Sequence, residues 1–467
     1  MTVIDGCTVA TVDAQDREFS TGHVIVTGNR ISSVAAGRWQ PTADTAGAKV
    51  IDGQGCLLTP GLVNTHHHLY QWVTRGLAVD ETLFGWLTTL YPVWAGIDAD
   101  AVHIAGLAAL SWLAGTGCTT STDHHYVFPS GAGDLLEAEI TAAREVGIRF
   151  HPCRGSMDLG RNQGGLPPDE VVEDRDTVLS ETAAAIEKWH DGSFDSMLRV
   201  AVAPCSPFSV TGDLMREAAE LARSRGVRLH THLAETLDEE DFCVERFGCT
   251  PLEYVESLGW LGDDVWFAHA VHLDDGAVKR IAATGTGIAH CPSSNARLGA
   301  GIARTVDLSE AGVAVGLGVD GAASNEASSL VEEARHALLF ARARGGPQAM
   351  TVRQALRLAT IGGARVLGRQ AEIGSIEVGK LADLALWRID GLGHADIADP
   401  VAALVLGAAP PLQLLLVDGR PVVEAGALRT VDADSLASQA VATHRRLLKS
   451  HQSVSDSSAN SSEVSKS

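Results

Sequence analysis

Short runs of alternating apolar and polar residues occupy the start of the chain. Thr8-Val9-Ala10-Thr11-Val12, His23-Val24-Ile25-Val26 and Ile31-Ser32-Ser33-Val34 carry the period-two pattern of half-buried strands, with turns at Asp5-Gly6 and Gly28-Asn29. Residues 1–58 are therefore expected to form part of a small β-sandwich. From residue 59 the pattern changes to short apolar runs alternating with helix-periodic stretches. The runs end near His68, His124, Arg154, Cys205, His232, His269, Pro292 and Asp320, and the helical stretches cover 99–116, 134–146, 175–190, 211–225, 274–283 and 324–343. Gly117, Gly147, Gly226 and Gly312 each precede a strand, where a helix C-terminus favours glycine. Eight strands alternating with helices over about 260 residues match a (β/α)8 TIM barrel, an α/β fold, placed at 59–367. A doubly wound open sheet competes, but no GxGxxG follows the first strand.

After Leu367-Gly368 the strand pattern returns through 372–387 and again at 414–423, a hairpin about Asp418-Gly419. Residues 368–431 are expected to complete the β-sandwich begun at 1–58, so that both chain ends build one small domain. A C-terminal helix is expected within 432–450, and the serine-rich tail 451–467 is expected to be disordered.

Bulk properties narrow the setting. The 467 residues are 45% hydrophobic and 20% charged, an ordinary globular balance. The formal charge of -22 argues against a nucleic-acid partner. The start of the chain lacks a basic region and a long apolar core, and the apolar stretch 401–417 is interrupted by Pro410-Pro411, so no membrane association is expected. Eight scattered cysteines without a CxxC pair fit a reducing cytoplasm.

The candidate chemistry collects at the expected strand ends, which meet at one mouth of a barrel. The apolar run Cys56-Leu57-Leu58-Thr59-Pro60-Gly61-Leu62-Val63 leads into His66-His67-His68, read as the C-terminal end of that strand. Alternation then places His66 and His68 on one face, a chelating pair for a metal such as zinc. His232 ends the fifth strand with Glu235 three residues on, His269 ends the sixth, and Asp320 ends the eighth. Three imidazoles and a carboxylate make a sphere for one divalent cation with room for water, whose pKa the cation would lower. Zinc suits this set best, and iron or manganese occupies similar ones. Glu235 is placed to shuttle protons. His124, His125, His151 and His290 also lie near strand ends, and each is weighed against a packed role; His230, deeper than His232, reads as packed and hydrogen-bonded.

The set His-x-His, His-x-x-Glu, His and Asp, inside a sandwich-plus-barrel chain, resembles the amidohydrolase superfamily. The segment Gly374-Ser375-Ile376-Glu377-Val378-Gly379-Lys380-Leu381-Ala382-Asp383 is similar to that superfamily's sandwich signature, and the likeness covers residues 1–431. The branch it resembles uses one metal and deaminates aminated heterocycles. The resemblance implies that His66, His68, His232 and Asp320 bind the metal, that Glu235 shuttles protons, and that His269 orients water or substrate. It also implies a small heterocyclic substrate and a homo-oligomer.

Finer motifs narrow the branch. Gln71, three residues past His68, sits where guanine-type deaminases place a glutamine on the purine. Asp123-His124, Arg154-Gly155-Ser156-Met157 and Ala203-Pro204-Cys205-Ser206-Pro207-Phe208-Ser209 look closest to the 8-oxoguanine deaminase group, with isoxanthopterin deaminases next and triazine hydrolases sharing the His-Leu-Tyr opening. Where guanine deaminases offer an Arg-Phe pair, this chain has Pro204-Cys205-Ser206, which speaks against plain guanine and makes Cys205 a candidate substrate contact. The aromatic stretch Leu83–Trp94 is open to three readings, as a helix packed on the barrel, a subunit interface or a lid.

Overall fold

The computed structural model describes residues 1–41 and 47–464, with side chains to residue 452. Eight parallel strands close a barrel in the order Leu62–Asn64, Cys118–His125, Arg149–Ser156, Ala201–Pro204, Leu229–Leu233, Val265–His269, Gly287–His290 and Val315–Leu317, the last pairing with the first. Their side chains are almost all buried, as expected for strands covered on both faces. Helices between them carry the expected caps. Asp134, Asp174, Thr211 and Asp274 each accept a backbone N–H at a helix start, and Gly147, Gly226 and Gly285 close helices in the left-handed conformation.

Strands from the two ends of the chain form one nine-stranded sheet. Cys56–Pro60 is the join: it runs parallel to Thr2–Ala10 on one side and antiparallel to Leu384–Arg388 on the other. Ile4, Val9, Val24, Leu58, Leu384, Leu386 and Leu414 share one apolar core, so the two halves of the sheet enclose a common interior. The other face, with Leu57, Trp387 and Leu415, packs into the barrel's core.

Several expectations are corrected. The apolar run before the histidines is two strands, with Cys56–Pro60 in the terminal sheet and only Leu62–Asn64 in the barrel. The sheet strand thus runs two residues past the expected boundary at 58. The chain breaks at Gly61, where any Cβ would collide with Thr119. His67–His68 pairs instead with Asp320–Gly321 in a separate two-stranded ribbon beyond the barrel. Asp320 is therefore not on the eighth strand, which stops at Leu317, and the seventh stops at His290 because Pro292 opens a helix. Stretch 401–417 is a helix, Pro400–Leu406, followed by a strand, Leu412–Val417. The last helix runs Ala433–Val464, so most of the tail expected to be disordered is helical; 465–467 lie outside the described residues. No helix among the described residues is long and apolar enough to cross a membrane.

A buried ion pair fastens barrel to sheet. Arg149, at the start of the third barrel strand, donates from Nε and Nη2 to both oxygens of Asp383, and from Nη1 to Ser196 O at 2.7 Å. The guanidinium is fully buried and Asp383 nearly so. Removing one partner strands the other in a dry site, so Arg149→Met is expected to cost about 3–5 kcal/mol, measurable by denaturant unfolding.

Candidate metal centre and active site

Three imidazoles point bare nitrogens at one spot, and their partners show why. His68 Nδ1 lies 2.7 Å from His124 O, and His232 Nδ1 lies 2.7 Å from Cys205 O. A carbonyl only accepts, so each Nδ1 carries the proton and each Nε2 keeps its lone pair. His66 reaches the same state through a relay. His230 Nδ1 donates to Trp266 O at 2.9 Å, which leaves His230 Nε2 to accept from His66 Nδ1 at 2.8 Å. His230 is thus packed and hydrogen-bonded, as its depth in the strand suggests, yet it fixes the tautomer of its neighbour.

The lone pairs converge. His68 Nε2 and His232 Nε2 are 3.1 Å apart with no proton between them. Asp320 Oδ1 stands 3.3 Å from both His66 Nε2 and His68 Nε2. Among the described residues, His66 Nε2 has no hydrogen-bond partner. Such facing lone pairs repel in a dry site and are stabilised around a cation. Burial, the main cause, holds His66 down to about 3 and His232 well below the ordinary imidazole range, so both are neutral, as metal ligands must be. The donor set of three nitrogens and one carboxylate fits a divalent cation.

Around this cluster sit the proton-handling groups. Glu235 is buried and its carboxyl is raised well above the usual range, chiefly by burial and then by the charge of Asp320. Its backbone N–H and that of Ala234 donate to the Glu239 carboxylate, both at 2.9 Å. His269 Nδ1 meets Asn295 Oδ1 at 2.9 Å, which aims Nε2 at Glu235 Oε2, 3.6 Å away, and Asp320 Oδ2, 3.9 Å away. Ser324 Oγ lies 3.3 Å from Asp320 Oδ2. The backbone is left-handed at Ala234, His269, Ala270 and Asp320, φ between 49° and 70°. Strain of this kind, about 1–3 kcal/mol per residue, gathers where surrounding contacts hold reactive groups in place.

A cavity opens over the cluster, lined by His68, Gln71, Cys205, His232, Glu235, His269 and Asp320 on its polar side. Helix Leu83–Trp94 roofs it with Leu83, Trp86, Leu87 and Tyr91, and Phe208 and Leu298 close the rim. Of the three readings of that segment, its inner face is a packed helix forming the cavity wall, pinned by Trp86 Nε1 to Ala323 O and Trp94 Nε1 to Thr74 Oγ1, both at 3.1 Å. Gln71 lies in the turn Leu69–Thr74, fully buried, and among the described residues neither end of its amide has a partner. Its amide sits against Gly321, the residue after Asp320, where a Cβ would overlap it. Cys205 lines the cavity, and burial pushes its thiol up to about 12, so it stays protonated.

Of the eight candidate site residues, seven line the cavity, and His66 lies beneath it with its Nε2 3.3 Å from Asp320 Oδ1. Others were not legible as part of it. Asn295, Glu239 and Ser324 show only once the loops are folded, although each follows a strand end by a few residues. Of the remaining histidines, His124 stacks on His232 with ring centroids 4.7 Å apart, His125 turns away to Glu139, and His290 ends its strand outside the cavity lining. His151 sits low in its strand beside Arg369, away from the mouth.

Comparison with known proteins bears on this arrangement. The family model described as the amidohydrolase family matches residues 57–422. An 8-oxoguanine deaminase of Pseudomonas aeruginosa is 45% identical over 428 residues, covering 91% of this chain and 94% of that protein. An isoxanthopterin deaminase from an unknown prokaryotic organism is 34% identical over 446 residues, covering 91% of each. Among solved structures, atrazine chlorohydrolase TrzN from Arthrobacter aurescens TC1 complexed with zinc superposes with a TM-score of 0.90 at 33% identity, covering 95% of this chain and 100% of that one.

Proposed function

Since the chain belongs to the amidohydrolase family, we propose that it is a deaminase of an amino-substituted heterocycle, with 8-oxoguanine, converted to urate, as substrate. The observation that carries the reading is the Gln71 amide. Its unpartnered donor and acceptor face the cavity that holds the histidine–aspartate cluster. One amide can pair with an adjacent acceptor and donor on a purine or pterin edge, and leaving it unpaired in a dry pocket is costly. The likeness to the 8-oxoguanine and isoxanthopterin deaminases supports a bicyclic aminated ring.

His66, His68, His232 and Asp320 would hold the cation, and we propose zinc, in keeping with the zinc-complexed structural relative. A divalent cation supplies Lewis acidity that makes water reactive near neutral pH. The chain's own groups do the rest. Trp86, Tyr91 and Phe208 sandwich and desolvate a planar ring, and Gln71 sets its rotation. As water adds to the amino-bearing ring carbon, Glu235 takes a proton from it and delivers one to the adjacent ring nitrogen. His269, anchored by Asn295, orients the attacking water by accepting a hydrogen bond at Nε2. Asp320 Oδ2, turned towards His269 and Ser324, takes the remaining proton of the added water and passes it to the departing amine, and ammonia leaves.

Ammonia release measured across 8-oxoguanine, isoxanthopterin and aminotriazines tests the proposal. Turnover of 8-oxoguanine in preference to the others is expected; turnover of the pterin alone would move the substrate within the same chemistry. A second reading, hydrolysis of a chloro- or alkylamino-triazine, draws on the structural likeness to atrazine chlorohydrolase, and chloride release from a chlorotriazine without ammonia from any purine would favour it. Gln71→Ala is expected to lower kcat/KM roughly 10- to 100-fold through loss of two hydrogen bonds, read in steady-state kinetics.

A further inference from the structure

The second barrel strand, Cys118–His125, ends in Asp123, His124 and His125, all with no exposed surface. Two of them hold the chain around His68. His124 O accepts from the His68 imidazole at 2.7 Å, and Asp123 Oδ1 accepts at 2.5 Å from Leu69 N, the peptide that follows His68. His125 turns the other way, with Nε2 on Val127 O at 2.8 Å and Nδ1 on Glu139 Oε1 at 2.7 Å. Glu139 comes from helix Leu135–Val146 and is also fully buried. Asp123, His125 and Glu139 each bring a polar atom within 4.8 Å of the others. The remaining oxygens, Asp123 Oδ2 and Glu139 Oε2, have no other partner among the described residues.

His125 and Glu139 are joined by a direct 2.7 Å hydrogen bond. Two carboxyls so close together in a dry interior are not both ionised. Burial, the main cause for each, pushes Glu139 up to about 8 and Asp123 well above the usual carboxyl range.

We infer that Asp123, Glu139 and His125 are positioning residues for the metal ligand His68. Glu139, braced by His125, locks the Asp123 carboxyl; Asp123 fixes the Leu69 peptide; the peptide sets the aim of His68 and of Gln71 beyond it. The helix Leu135–Val146 is thereby tied to the cation's coordination although none of its residues lines the cavity.

The inference rests on His68 acting as a metal ligand, and the test separates the two claims. The full chain is loaded with Co(II), and the visible absorption band and the rate of cobalt loss to a chelator are recorded for wild type, Asp123→Ala, Asp123→Asn and Glu139→Ala. Asp123→Ala is expected to shift the band and release cobalt at least about 10-fold faster. Asp123→Asn, which keeps an acceptor for Leu69 N and can donate to Glu139, should stay close to wild type in both. Glu139→Ala should move both readouts in the direction of Asp123→Ala, and it decides the matter if Asp123→Ala does not fold. A lowered melting temperature with the wild-type band and release rate in these alanine variants overturns the inference, since the cluster would then be only structural. Failure of the wild type to take up cobalt overturns the metal-site reading itself, and this inference with it.

Discussion

Glu235→Gln is expected to leave the metal content unchanged and to cut turnover by about 10²- to 10⁴-fold. The residue is buried beside Asp320 and His269, whose Nε2 lies 3.6 Å from its Oε2. Glutamine keeps the size and one acceptor, so packing and the Glu239 bonds to the local backbone survive. What it loses is the capacity to take a proton from water and return it to a ring nitrogen. Metal analysis and single-turnover kinetics on the same sample distinguish the cases. Full turnover in the variant would assign proton transfer elsewhere, and loss of metal would make Glu235 a ligand.

Dialysis against a strong chelator is expected to abolish ammonia release, with recovery on adding back Zn2+. Without a cation, the three neutral imidazoles and Asp320 present lone pairs and charge to one another across 3.1–3.3 Å. A ligand present at a thousand times its Kd stabilises the folded chain by about 4 kcal/mol, so the stripped protein should also melt at a lower temperature. His66→Ala should behave like the stripped protein and resist rescue by zinc. Undiminished turnover after verified metal removal would exclude a metal-dependent reaction.

Much of this site was legible in the sequence because each proposed ligand follows an apolar run, and a barrel gathers such ends at one mouth. The architecture that delivers them was less legible. Alternation alone does not show that the stretch from Cys56 to Val63 serves two sheets; the local signal is the Pro60-Gly61 pair, and a side chain at Gly61 would have no room against Thr119. For the same reason His66 and His68 were read as a strand end, whereas the chain leaves the barrel at Asn64 and resumes pairing with Asp320–Gly321. That ribbon is what brings two ligand-bearing segments side by side. The partners that fix imidazole tautomers are mostly backbone carbonyls, those of His124, Cys205 and Trp266, and carbonyls carry no residue identity to read. The long last helix was cut short in the reading because a serine-rich composition lacks the apolar stripe that announces a packed helix.

The seam of the terminal sheet bears on how the protein is made. Trp387 Nε1 donates to Thr59 Oγ1 across 328 residues of chain. The strand Cys56–Pro60 emerges from the ribosome early, finds Thr2–Ala10 on one side, and must wait through synthesis of the entire barrel for Leu384–Arg388 on the other. During that interval a largely apolar strand offers an open edge, the kind of surface that invites pairing with a neighbouring nascent chain. Closure of the sheet thus cannot begin before Leu384–Arg388 has been made, and until then this edge is the part of the nascent chain that folding helpers would have most to protect.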